Sequence, residues 1–333
     1  MQPTRRLLLL ALCFVLAAPA RALDAGREDV RAFIGEMAET HGFAAEELGR
    51  LFGQAEARPS IVALMTRPAE KALPWHEYRT RFLTERRISR GVETGRLHAD
   101  ALARAAERGV PVPVLLSIVG VETFYGENTG KHRVIDALAT LAFDYPRRSA
   151  FFRAELENFL LMSREESLDP LVPLGSYAGA MGIPQFMPSS FRNYAVDGDG
   201  DGRRNLWTSW ADVFASVANY LREHGWRTDE PVMASADVTE ADLAGLEFGK
   251  LALTETVGSL RARGVRFDTE LPADAPAVLV ELAGRDGPEH RVGFANFYAI
   301  TRYNRSQLYA SAVSDLADAI AAAAPPAPAP PAE

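Results

Sequence analysis

Cysteine is almost missing from this chain. The single copy, Cys13, lies inside the opening stretch MQPTRRLLLLALCFVLAAPARA, which joins a basic start to an apolar run and small residues at Ala20 and Ala22. That is the pattern of a secretory signal over residues 1–22, and its run is short for a membrane span. Once the signal is removed, no disulfide, thiolate metal site or cysteine nucleophile remains available. Leu12 also argues against lipid attachment at Cys13, because a lipoprotein signal has a small residue there. Basic charge is the second scarcity: 36 Lys and Arg stand against 44 Asp and Glu, a formal net charge of -8. Removing Arg5, Arg6 and Arg21 with the signal takes this to -8 - 3 = -11, a balance that disfavours nucleic acid as a partner and favours solubility. Arg5 and Arg6 leave both the general and the twin-arginine export routes open.

With 333 residues and 47% hydrophobic content, the chain can bury a large core, and about two domains is the expectation from length. Residues 23–109 read as a helical domain: REDVRAFIGEMAETHGF and ADALARAAERG space apolar residues by three and four, with Gly42 and Gly109 as stops. Residues 110–225 alternate apolar helices with glycine-rich connections and hold the chemically interesting residues. Residues 226–291 turn to short β-prone pieces such as AVLVELAG and RVGFANFY, a small α+β insertion. Residues 292–305 return to the core, and 306–323 have helical periodicity that predicts packing back on the first helices. The alanine- and proline-rich end, 324–333, reads as a disordered tail.

Three stretches carry candidate chemistry. In SIVGVETFYGENTGK an apolar run from Val114 to Val121 ends at Glu122, so the acid sits at the end of an element that wants burial. Desolvation favours the neutral carboxyl, which can then donate a proton to a leaving oxygen. A helix-end glutamate is also commonly a surface or capping residue. The tetrapeptide GVET occurs twice, and Glu93 in the first copy, set among arginines, reads as a solvated acid.

In GSYAGAMGIPQFMPSSF, Gly175, Gly179 and Gly182 bring backbone close to something. The lysine and hydroxyl of a phosphate-cradling loop are missing, which argues against a nucleotide site. Tight packing and a polymer groove with Ser176, Tyr177 and Gln185 as hydrogen-bonding side chains both fit. In DGDGDGRRNLWTSWAD, the alternating Asp197, Asp199 and Asp201 and the following Gly202 match the first half of an EF-hand loop, whose natural occupant is Ca2+. The match then fails, because Thr208 stands where a bidentate glutamate is expected. Asp212 is the nearest carboxylate able to close the shell; Arg203 lies within the loop.

Taken together, GVETFYGENTGKHRVIDALATLAFDYPRR, GSYAGAMGIPQFMPSSF, NLW, SVANYLREHGW and NFYAITRYNRS resemble the lytic murein transglycosylase B family, in order, from about Tyr78 to Tyr309. The resemblance implies a mainly α (α+β) fold: a lysozyme-like core with a helical domain and a small β-containing insertion. It further implies a periplasmic enzyme, expected to be a monomer, that acts on the glycan strands of peptidoglycan. The family's catalytic acid matches Glu122. Its sugar-contacting residues match Ser176, Gln185, Tyr220, Tyr303, Asn304, Tyr309 and Tyr78, and its calcium loop matches Asp197, Asp199, Asp201, Arg203 and Asp212. Two departures stand out. Phe151 replaces an aromatic hydroxyl, and the spacing from Trp207 to Asp212 is one residue longer than the family pattern, which puts the ligand role of Asp212 in question.

Ordinary glycoside hydrolysis uses two carboxylates across the scissile bond. No second acid here has a setting like that of Glu122; Asp144 and Glu127 are the sequence candidates. The resemblance implies that one glutamate suffices, protonating the bond from N-acetylmuramic acid to N-acetylglucosamine and then accepting the C6 hydroxyl proton as a 1,6-anhydro ring closes. Ser176 and Asn304 would orient the acetamido group. The alternatives are a hydrolytic muramidase of the same fold and a calcium-stabilised peptidoglycan-binding protein without catalysis.

Overall fold

The computed structural model describes residues 21–66 and 73–324. Most of the expected signal, and the tail from 325, therefore lie outside the described residues. Arg21 and Ala22, at the end of the expected signal, pair antiparallel with Ala57 and Glu56 in a two-residue ribbon. Among the described residues no helix is long and apolar enough to cross a membrane.

The centre of the molecule is the helix Val112–Thr123, buried nearly all round through Val114, Leu115, Leu116, Ile118, Val119 and Gly120. Such a helix has no polar face because other elements cover every side. The helix Gln307–Ala323 packs along one flank, where Ser117 Oγ donates to the Val313 carbonyl at 2.6 Å. The helix Glu85–Leu97 packs on both. Each of these two partners is started by a hydroxyl cap: Thr84 Oγ1 accepts from the Arg87 amide and Ser306 Oγ from the Tyr309 amide.

The first helices, Glu28–His41, Ala45–Gln54 and Pro59–Thr66, lie elsewhere. They sit against Val134–Asp144 and Ser149–Glu165, tied by Arg27 to Asp144 at 2.6 Å, His41 to Glu157 at 2.8 Å and Arg153 to Glu36 at 2.6 Å. Residues 23–109 are thus split between two faces of the core. The last helix packs back on the later part, Trp75–Thr80 and Glu85–Leu97.

The insertion forms a four-stranded antiparallel sheet in the order Met233–Ala236, Pro288–Gly293, Pro276–Ala283, Glu255–Thr256. Its central strand Pro276–Ala283 shows period-two burial with both faces covered. Ala277 and Leu279 face a small local core with Val257 and Leu260, while Val278, Val280 and Leu282 join the main core.

Candidate active site

Glu122 occupies the last turn of the central helix, which ends because Phe124 (φ 53°) and Tyr125 (φ 58°) turn left-handed. Two consecutive non-glycine residues in that region are strained, and packing must hold them. Part of the support is Tyr125, buried between the Glu85–Leu97 helix and the central helix. A Cβ added at Gly91 would come within 2.5 Å of its hydroxyl, and one added at Gly120 within 2.6 Å. The two GVET copies therefore face each other across one tyrosine, and their glycines make the room. Thr123 supplies the other support: its Oγ1 donates to the Ile183 carbonyl at 2.9 Å and accepts from the Gly126 amide at 3.0 Å. Sequence reading missed Thr123; its signal was a hydroxyl beside the acid at a buried helix end, where it must find partners.

Glu122 itself is partly exposed. Burial by the surrounding protein pushes its carboxyl up to about 7, against the opposing pull of the Tyr309 hydroxyl, which donates to Oε1 at 2.6 Å. Three tyrosines feel this acid electrostatically. Tyr309 and Tyr303 are held well above the ordinary phenol range, first by burial and then by the nearby Glu122; Tyr78 is raised by the same two causes in the same order. All three phenols are therefore neutral donors at physiological pH.

Tyr303 donates to the Pro184 carbonyl at 2.6 Å and packs on Tyr220 with ring centroids 4.8 Å apart. The hydroxyl of Tyr220 donates to the Arg302 carbonyl at 2.7 Å, and burial pushes its phenol up to about 12. Gln185, with φ 53°, spends its amide on the Thr129 and Gly182 carbonyls at 3.1 and 2.8 Å. Ser176 Oγ accepts from the Ala178 and Ala180 amides. Ser176, Tyr177 and Gln185 line a recess of about 460 Å³ with Thr129 and Gly130. Gly130 is obligatory there, since a Cβ would meet the Gly175 carbonyl oxygen at 2.0 Å. Asn304 follows Tyr303 on the surface and its side chain makes no hydrogen bond within the described residues.

The remaining acids are engaged away from Glu122. Asp144 is ion-paired with Arg27. Glu127 lies with Arg86 at 3.1 Å and Arg90 at 3.9 Å, and Glu93 pairs with Arg90 at 2.7 Å on the exposed side of its helix. Phe151 is a surface ring 4.2 Å beneath the Arg148 guanidinium.

The acidic loop differs from the alternating pattern read in sequence. Asp197, Asp199 and Asp212 bring one oxygen each to within 4.8 Å of one another. Asp201 instead turns its Oδ1 to the Arg203 amide at 2.8 Å, and Arg203 is exposed. Asp212, whose place the spacing left open, is buried at 1% exposure and accepts from the Gly198 and Asn205 amides at 2.8 and 2.6 Å. Burial raises its carboxyl, the two amides oppose, and Asp199 raises it further. Three converging carboxylate oxygens with one desolvated are the donor set of a hard divalent cation, so the residues fit Ca2+.

Residues 25–318 match the transglycosylase SLT domain family. The chain is 41% identical over 309 residues to membrane-bound lytic murein transglycosylase B of Escherichia coli K12, covering 90% of this chain and 84% of that protein. Its fold is similar to the catenated lytic transglycosylase SltB1 of Pseudomonas aeruginosa, with a TM-score of 0.86, 50% identity, and coverage of 90% of this chain and 98% of that one. It is also similar to the Escherichia coli lytic transglycosylase Slt35 in complex with calcium, with a TM-score of 0.81 and 40% identity over 91% of this chain and 96% of that one.

Proposed function

Because this chain belongs to the transglycosylase SLT domain family and is a peptidoglycan-cleaving lytic transglycosylase, we propose that Glu122 performs both proton transfers of the reaction. The observation that carries this is isolation. Burial and the Tyr309 hydroxyl set the state of Glu122, and the two other candidate acids are paired with arginines. The second member that a hydrolytic carboxylate pair needs is supplied by neither of them in this reading, and no other carboxylate is among the groups that shift Glu122.

The protonated carboxyl gives its proton to the glycosidic oxygen as the bond from C1 of N-acetylmuramic acid to O4 of N-acetylglucosamine breaks. The resulting carboxylate, steadied by the Tyr309 hydroxyl, takes the proton of the muramic C6 hydroxyl as O6 bonds to C1. The carboxyl is thereby restored and the product carries a 1,6-anhydro ring. A group that titrates near 7 serves both halves, because neither its acid nor its base form is scarce at neutral pH. Ser176, Gln185, Asn304 and the tyrosines hold the sugars in place, a positioning role.

Calcium belongs to the fold in this reading. Asp197, Asp199 and Asp212 would hold it, and the ion would neutralise a loop anchored on the helix Trp210–Glu223. The enzyme acts in the periplasm as a monomer on glycan strands, exported by the leader at residues 1–22. Digestion of purified sacculi tests the reaction: mass spectrometry should find muramic ends one water lighter than a muramidase leaves. Ends that borohydride converts to muramitol would refute it.

A further inference from the structure

Exposed apolar side chains scattered singly over a surface need no explanation. Here they are not scattered. Of the large apolar side chains exposed among the described residues, three fall within one short stretch: Val172 at 69%, Leu174 at 45% and Tyr177 at 41%. A grouping of that kind marks a binding surface.

Its position is informative. Val172 and Leu174 line a recess of about 480 Å³ with Trp207, and this recess shares Thr129 with the one that holds Ser176, Tyr177 and Gln185. The connection is rigid. Leu174 and Gly175 pair with Arg133 and His132, and the Trp207 indole donates to the Leu174 carbonyl at 3.0 Å. On the far side, Asn205 Oδ1 accepts from the Trp207 amide while its own amide donates to Asp212. A firm shelf, apolar at Val172, Leu174 and Trp207 and edged by Glu166, Arg203 and Arg204, therefore continues the groove away from Gln185 and ends at the acidic loop.

We infer that this shelf is an outer subsite for the glycan strand, gripping sugars beyond those at the scissile bond. The inference rests on the reading of Ser176 and Gln185 as sugar contacts. Pyranose rings present C–H faces and acetamido methyl groups, which bury well on aliphatic and aromatic side chains. A polymeric substrate reaches the shelf; a short fragment does not.

The test is the double variant Val172→Ser with Leu174→Ser. Both side chains are exposed, so the fold does not depend on them. On long, purified strands KM should rise about five- to tenfold with kcat unchanged, the scale of losing two apolar contacts. On a fragment of two disaccharide repeats both constants should match those of the unmodified enzyme, which also verifies that the variant is folded and that Glu122 still works. Three results would overturn the inference: an unchanged KM on long strands, an equal loss on long and short substrates, or sedimentation showing an unmodified dimer that the variant dissociates. Loss of anhydro product on every substrate in Glu122→Gln bears only on the catalytic assignment.

Discussion

The Tyr309 hydroxyl donates to Glu122 Oε1 across 2.6 Å, joining residues 187 positions apart in the chain. Burial raises the acid while this single bond restrains it, so the pair sets the pH at which Glu122 gives up its proton.

Glu122→Gln keeps the shape and removes the proton. Cleavage should fall by more than about a hundredfold, the scale of a general acid, while glycan binding and the fold persist. Glu93→Gln, in the other GVET copy, should leave turnover unchanged because Glu93 pairs with surface Arg90. A well-folded Glu122→Gln protein that turns over normally would remove Glu122 from the mechanism.

Tyr309→Phe deletes the hydrogen bond that favours the carboxylate. The carboxyl pKa then climbs above about 7, and the basic limb of kcat/KM against pH should move upward. Turnover should drop about tenfold, because the carboxylate formed in the first half-reaction loses its donor. A basic limb that stays in place would mean Tyr309 does not act on the acid.

The same shift has a consequence for stability. The folded-state pKa of Glu122, about 7, lies above its ordinary value of 4.5, so the folded protein binds the extra proton. Its contribution is full below about pH 4.5 and is lost as pH rises through 7, an effect on the order of 3 kcal/mol. Denaturant melts from pH 4.5 to 8 should show the unmodified protein losing stability relative to Glu122→Gln. Parallel curves would contradict the desolvated environment.

Calcium should raise the melting temperature, by about 2.7 kcal/mol of stabilisation at a hundredfold excess over Kd. Asp199→Asn should abolish most of that increment, and Asp201→Asn should cost less, since Asp201 is outside the converging set. Calorimetry with and without chelator decides this; a larger loss at Asp201 would reassign the ligands.

Tyr125 carries a buried hydroxyl with no hydrogen-bond partner among the described residues. Tyr125→Phe should therefore be neutral or stabilise by about 1 kcal/mol, and it should lessen the damage done by Gly91→Ala or Gly120→Ala, each of which drives a methyl against that hydroxyl. A double-mutant cycle in denaturant measures the coupling. Strict additivity would show that the glycines serve some other contact.

Local pattern was sufficient for the elements and for the acid. Apolar spacing outlined the helices, β-prone runs outlined the strand Pro276–Ala283, and the uncharged run ahead of Glu122 pointed to a desolvated carboxyl, with a surface or capping role as the alternative. These features depend on neighbours in sequence, so they are readable there. The mainly α fold with a lysozyme-like core, and the lytic transglycosylase activity, were what the resemblance of the ordered motifs to the lytic murein transglycosylase B family implied.

Long-range closure was not readable. Spacing favoured Asp201 over Asp212, yet Asp212 meets Asp197 and Asp199 because burial of its helix fixes where its side chain stands, whatever the count of intervening residues. The repeated GVET looked incidental until Tyr125 was seen lodged between its two glycines. Nor could periodicity divide the first helices between two faces of the core, since an apolar stripe records that a face is buried but not against what. Glu122 was marked by its own neighbours; Tyr309, Thr123 and Asp212 took their roles only when packing brought distant segments into contact.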